Sequence, residues 1–420
     1  MQYFKLFFVD YTRNLYFCVQ NKYNITIKQG ILMRFTLSSS ALNARLQSLA
    51  KVINSKNALP ILDSFLFEVK SGQLQLTASD SENVMTIVMG LDNSDGDGSF
   101  AVPSRTILDA VKELPEQPLA FEIDLNVLTV TINYQNGAYN FTAQNAEEYP
   151  RTQIVPDSAT TITLNATTLI NNVSRTLFAT ATDELRPVMN GIYFDLQADY
   201  LAIVATDGHK LVRNKILNIK SDTPASFILP KKPANLIKTV LTRGDSNIII
   251  KFDDRSAEIK FDGGQLVCRL LEGSYPNYNS VIPENPNNMS IDRKSLISTL
   301  RRVLPFASES SQLVRLHIEP GKLEVLSEDI DFATSAHEQI VCDYTGPTMN
   351  IGFKGSSLQE ILNNIDCDEV IFQLADPSRA GVIVPTVQPE NENVLALIKK
   401  GGNVDFHIVW QDKSKTSYSK

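Results

Sequence analysis

Asp207-Gly-His209 sets a carboxylate two residues from an imidazole, a pair that could do general acid–base work. Asp80 and Asp329 end similar acidic turns and could act as carboxylate ligands. The rest of the chain does not develop either chemistry. Histidine occurs four times (His209, His317, His337, His407), and the turns around Asp80 and Asp329 have none at the position of His209. There is no glycine-rich phosphate loop, HExxH helix or nucleophile elbow. Cys18, Cys268, Cys342 and Cys367 form no CxxC and no close pair, which argues against a zinc site or a disulfide framework and suits a reducing cytosol. The three aspartates recur once per repeat of a longer pattern, which suits Asx hydrogen bonding in turns rather than catalysis. We therefore expect no enzyme, no metal and no cofactor.

That longer pattern passes three times. A capped amphipathic helix opens at Ser39, Asn165 and Asp292, steps of 126 and 127 residues. Each helix leads to a strand: Ser64–Lys70, Gly191–Leu196 and Val314–Ile318. The acidic turn follows, at Ala78–Asp80, Ala205–Asp207 and Ser327–Asp329. A second helix is then opened by Val102-Pro-Ser-Arg105, Leu229-Pro-Lys-Lys232 and Phe353-Lys-Gly-Ser356. Two blocks end in Tyr-Pro, at Tyr149-Pro150 and Tyr275-Pro276. Repeats this long are whole domains, and 420 residues suit about three of them.

Leu42, Leu46, Leu49 and Ile53 form a helical core stripe, as do Leu169, Ile170, Val173 and Leu177, and Leu296, Leu300, Val303 and Leu304. The second helices carry Ile107, Leu108, Val111 and Leu114; Leu236, Ile237, Val240 and Leu241; and Leu358, Ile361, Leu362 and Ile365. Gln73–Thr77, Val127–Asn133 and Asn247–Phe252 alternate as strands. Each repeat is thus an α+β unit, two helices against antiparallel sheet, with strand edges left for neighbouring repeats.

The chain is acidic, at net charge −8. The helices with their caps reverse that balance, with about 14 Lys and Arg against about five Asp and Glu. Positive charge is therefore expected on one surface of an acidic body. From charge alone, Arg105, Arg175, Arg186 and Arg301 are candidates to meet a polyanion.

Taken together, the repeats resemble the bacterial DNA polymerase III beta subunit family, the sliding clamps, from Met33 to about Ile398. The resemblance is sharpest in Leu59-Pro-Ile-Leu62, Asn190-Gly191, Ala205-Thr-Asp-Gly-His-Lys-Leu211, Ser274-Tyr-Pro-Asn-Tyr278 and Val281-Ile-Pro283. It implies three tandem clamp domains, at 33–157, 158–286 and 287–398, closing as a head-to-tail dimeric ring with the helices lining the hole. It implies a processivity factor that encircles double-stranded DNA without reading sequence. A ring that slides can use phosphate contacts but not base contacts. Lys56, Lys231 and Lys232 match positions that face DNA in the family. A peptide cleft between the second and third domains is implied for Arg186, Met189, Thr206, Gly208, His209, Lys210, Leu211, Pro276, Ser280, Val281, Leu397 and Ile398. Its partners would be the replicative polymerase catalytic subunit, the clamp-loader ATPase, and other polymerases and repair proteins carrying a clamp-binding peptide. Tyr139 and Phe141 of the first repeat and Phe306 of the third are implied at the dimer interface.

Two segments depart from the pattern. Residues 1–32 are expected outside the folded unit. The family's Met-Pro lip is replaced after Ile398 by a polar tail, 399–420, so the cleft is expected to be incomplete and Gly402 onward poorly packed. No apolar run approaches the ~18 residues of a membrane span, and the expected location is the cytoplasm. The competing classes are an enzyme and a passive scaffold that never meets DNA. Turnover of a substrate would mark the first; equal behaviour on circular and linear DNA would mark the second.

Overall fold

The computed structural model describes residues 32–150 and 154–401. The expectations for residues 1–31 and for Gly402 onward lie outside the described residues.

Six helices occur among the described residues: α1 (Ser39–Ala50), α2 (Ser104–Val111), α3 (Ala166–Leu177), α4 (Lys231–Val240), α5 (Arg293–Val303) and α6 (Gly355–Asn364). They pack as three neighbouring pairs, one per repeat: α1 with α2, α3 with α4, and α5 with α6. The first helix of each pair is capped by a side-chain oxygen. Ser38 accepts from Ala41 N, Asn165 from Thr167 N and Asp292 from Ser295 N. The cap of α1 is therefore Ser38 rather than Ser39, and Asn165 stands 127 residues after Ser38 and 127 before Asp292. The helix α1 ends at Ala50, so Val52, not Ile53, takes the next fully buried position.

The strands assemble into four antiparallel sheets, and two of these cross from one repeat into the next. Asn83–Gly90 of the first repeat pairs with Gly264–Arg269, the last strand of the second. Lys210–Ile216 of the second repeat pairs with Glu392–Ile398, the last strand of the third. The same two strand roles thus meet at both junctions. One face of these strands packs on helices and core. The first and second repeats share a continuous apolar core, while the third keeps a largely separate one. The strands at sheet ends include Gly137–Thr142 of the first repeat and Thr334–Ile340 of the third.

The recurrent aspartates are turn residues, as their spacing suggested. Asp80 Oδ1 accepts from Glu82 N (3.0 Å) and Asn83 N (2.7 Å), and Asp207 Oδ1 from His209 N (2.8 Å) and Lys210 N (2.9 Å). Asp329 Oδ1 accepts from Asp331 N (3.0 Å) and Phe332 N (3.2 Å). Each carboxylate ties down two amides that the turn would otherwise leave unbonded.

Candidate partner cleft and cationic surface

The second acidic turn forms one wall of a small open cleft at the junction of the second and third repeats. Thr206, Gly208, Lys210 and Leu211 come from the turn and the strand after it, and Leu397 from the strand paired with it. Pro276, Asn277, Tyr278 and Val281 come from the segment linking the two repeats. Tyr275 anchors that segment. Its hydroxyl accepts from Thr206 N (3.1 Å), its ring stacks on Tyr193 at 4.6 Å, and burial pushes its pKa well up, so it stays neutral. Tyr278 donates to Asp195 Oδ2 at 2.6 Å and is held neutral by burial and that carboxylate.

Gly208 sits at φ +86°, where a side chain is strained, and a Cβ there would lie 3.4 Å from Arg186 Nη1. Arg186 is thereby placed beside the cleft, its Nε on Asp183 Oδ2 at 2.8 Å. The ion pair takes up one side of the guanidinium, and 43% of the Arg186 side chain stays exposed. Met189 is fully buried with Val188, Ala181 and Ile228, so it supports the cleft from below instead of forming a wall. Ile398 is also turned away. Leu397 packs on the cleft side, and strand alternation sends Ile398 into the third repeat's core. His209 and Ser280 are exposed at the rim. The walls are otherwise apolar, suited to large apolar side chains of a peptide. Asn277 and Tyr278 were missed from sequence, although Tyr278 closes a quoted motif segment.

Lys210 lends its stem to the cleft, but its ammonium is engaged. It binds Asp207 (2.6 Å) and Glu360 of α6 (3.1 Å), with 9% of the side chain exposed. Burial disfavours the cation, yet the two carboxylates outweigh it and its pKa is raised. Lys210 is therefore a tie between repeats.

The candidate DNA-facing cations divide in the same way. Arg175, expected outward, is only 13% exposed and binds Glu392 at 2.6 Å, with Asn172 on the other oxygen. Lys232 reaches back across the first junction to Asp80 (2.5 Å), with Asn54 Oδ1 and the Val52 carbonyl beside it. Arg175 is thus not outward as expected, and both cations have a carboxylate partner at a junction of repeats. Lys56 and Arg301 are exposed, and Arg105 is 95% exposed with only a loose 3.9 Å approach to Asp109. Lys231 is half-buried, its pKa lowered by burial and by Lys210.

At the two sheet ends, Phe306 is 41% exposed, as its place after α5 suggested. Tyr139 and Phe141 lie on the end strand, but their rings turn back on the first repeat's core, Tyr139 against Tyr134 at 4.8 Å. An incoming strand would therefore meet backbone there rather than those rings. Ile330 (84% exposed) and Phe332 (78%) stand on the third repeat's turn and were not singled out in sequence. Two large apolar residues interleaved with aspartates in a turn were the available signal. No cluster of side chains suited to a metal ion occurs among the described residues, and no helix there is long and apolar enough to cross a membrane.

Family models for the N-terminal, central and C-terminal domains of the DNA polymerase III beta subunit match residues 33–153, 163–277 and 279–399. The beta sliding clamp of Synechococcus elongatus is 28% identical over 367 residues, covering 84% of this chain and 96% of that protein. That of Pseudomonas aeruginosa is 27% identical over 355 residues, covering 84% and 95%. A solved DNA polymerase III beta subunit from Thermotoga maritima matches with TM-score 0.79 at 25% identity, over 89% of this chain and 100% of that one. A Pseudomonas aeruginosa sliding clamp solved with griselimycin gives 0.83 at 24% identity over 88% and 99%, a likeness of fold.

Proposed function

The chain belongs to the DNA polymerase III beta subunit family, the sliding clamps, and from that premise we propose that two copies close head-to-tail into a six-domain ring around duplex DNA. It is a processivity clamp and not an enzyme, working with DNA and polymerase. The observation that carries the ring is the reuse of one junction. Both internal junctions join the strand after the acidic turn to the last strand of the following repeat. Among the described residues, the two members of those roles without a partner from another repeat are Thr334–Ile340 and Gly137–Thr142. Pairing them between two copies repeats the internal junction twice more and closes the circle, a heterologous contact that rotation brings back on itself. Phe306, Ile330 and Phe332 lie at the third repeat's end of this contact and supply apolar surface to cover.

Lys56, Arg105, Lys231 and Arg301 are the cations we assign to the DNA-facing surface, acting through phosphate contacts that are weak singly and salt-dependent together. The cleft is assigned to a short apolar peptide of the replicative polymerase, the clamp loader and other DNA-processing proteins. We place the three clamp domains at 33–157, 158–286 and 287–398, and the protein in the cytoplasm. Native mass measurement tests closure: a species of twice the 46.7 kDa chain is expected. A monomer at micromolar concentration would overturn the ring.

A further inference from the structure

Beside the cleft, the outer sheet face carries two cations, Arg213 and Lys215, that no carboxylate contacts among the described residues. Along Lys210–Ile216, Leu211 faces the cleft, and Arg213 and Lys215 follow on the same face, while Val212 and Ile216 point into the cores. The cross-strand register continues that face: Leu211 lies opposite Leu397, Arg213 opposite Leu395 and Lys215 opposite Asn393. Arg213 therefore stands one pleat, roughly 7 Å, from the cleft wall.

The groups that touch this pair are uncharged. Arg213 is half-buried. Its Nη1 meets Asn279 Oδ1 at 3.4 Å, its Nη2 meets Asn393 Oδ1 at 3.2 Å, and its Nε is enclosed with no acceptor. Lys215 Nζ lies 3.8 Å from the centroid of the Tyr200 ring. Among the described residues neither cation forms an ion pair with a carboxylate. Asp199 and Asp195 act on Lys215 only through space, and Asp195 already binds the Tyr278 hydroxyl and Gln197 Nε2, both at 2.6 Å. Burial lowers the pKa of Arg213; burial and then the Arg213 charge lower that of Lys215. A desolvated guanidinium held only by two long amide contacts is under-satisfied, and a carboxylate arriving from outside would complete it with charge-assisted hydrogen bonds. Such a group is placed to come from whatever occupies the adjoining cleft, because Tyr278 and the Leu211–Leu397 pair border both.

We propose that Arg213 and Lys215 form a carboxylate-binding ledge that receives an acidic residue flanking the apolar anchors of a peptide docked in the cleft. This rests on the cleft reading above. The cleft would then select apolar anchors by shape, and the ledge would favour partners whose anchors are followed or preceded by Asp or Glu.

Fluorescence anisotropy with synthetic peptides tests it, using the full chain. One glutamine-and-leucine anchor sequence is made with an Asp-Asp flank at either end, and the same pair is made with Asn-Asn. The wild type should bind one Asp-Asp peptide roughly fivefold to tenfold tighter than its Asn-Asn counterpart. In Arg213→Gln with Lys215→Gln the gap should close, with affinity for the Asn-Asn peptide unchanged. Equal binding of all peptides by the wild type, or a gap that survives the double substitution, overturns the ledge and leaves the cleft standing. Failure of every peptide to bind overturns the cleft reading and the ledge with it.

Discussion

Replacing Lys232 with methionine keeps the length of the side chain and removes the charge that joins the second repeat to the first. In the native chain Lys232 Nζ sits on Asp80, whose side chain is 4% exposed, and contacts Asn54 and the Val52 carbonyl. Breaking a buried pair from one side leaves the other charge uncompensated, at about 3–5 kcal/mol. Two features reduce that here. Lys232 is 32% exposed, so solvent already screens the pair. Asp80 also retains the Glu82 and Asn83 amides and the Asn83 side chain at 3.0–3.1 Å. We expect a loss of about 2 kcal/mol. The first two repeats share one core, and at that size about 2 kcal/mol lowers Tm by roughly 4–8 °C. The assay is differential scanning calorimetry of Lys232→Met, Asp80→Asn and the double variant. The double variant should regain much of the loss, since no charge is then stranded. A single variant within 1 °C of wild type, on the order of what ~0.5 kcal/mol gives, or a double variant no more stable than Lys232→Met, would refute the reasoning.

Phe306→Glu should convert the dimer to monomer in native mass measurement, and an unchanged dimer would show that Phe306 lies away from the closing contact. Lys56→Glu with Lys231→Glu should lower loading on DNA several-fold at moderate salt without altering Tm; undiminished loading would remove both from the DNA-facing surface. His209→Ala with Leu211→Ala should weaken binding of an apolar peptide about tenfold or more while the dimer persists, and equal affinity would remove the cleft assignment. Lys210 carries a pH signature. Its folded pKa is raised above the unfolded value near 10.5, so its ion pairs with Asp207 and Glu360 contribute fully below that value and are lost as pH rises through the folded pKa. Between pH 9 and 11.5 the denaturation midpoint of the wild type should fall more steeply than that of Lys210→Met. Parallel curves would show that the pair contributes nothing.

Much of the architecture was legible because its signals are local. The caps at Asn165 and Asp292, the helical stripes and the Asx turns each depend on residues within one turn of chain, so spacing alone reveals them. The strands Ser64–Lys70 and Gly191–Leu196 fall where the repeat pattern sets them. The cations were harder, since whether a basic residue is free depends on what another repeat brings to it. Arg175 looks outward on a helical wheel but meets Glu392, 217 residues away, and Lys232 meets Asp80 across 152. Nothing near either residue encodes those partners. Ile398 and Met189 were drawn into the cleft by their neighbours' likeness to the family, whereas their own direction follows from strand alternation and from a short helical turn, Pro187–Asn190, that packs inward. Arg213 escaped notice for the opposite reason: its significance is the lack of a counter-ion, which only the assembled surface reveals.

Retention on DNA of different topology tests the ring most directly. After loading by a clamp loader, the labelled protein is followed by gel filtration on a closed circular plasmid, before and after one cut by a restriction enzyme at unchanged salt. A closed band threaded by the duplex stays with the circle and leaves within minutes of linearisation. Loss from both forms alike, or persistence on the cut molecule with free ends, would contradict encirclement.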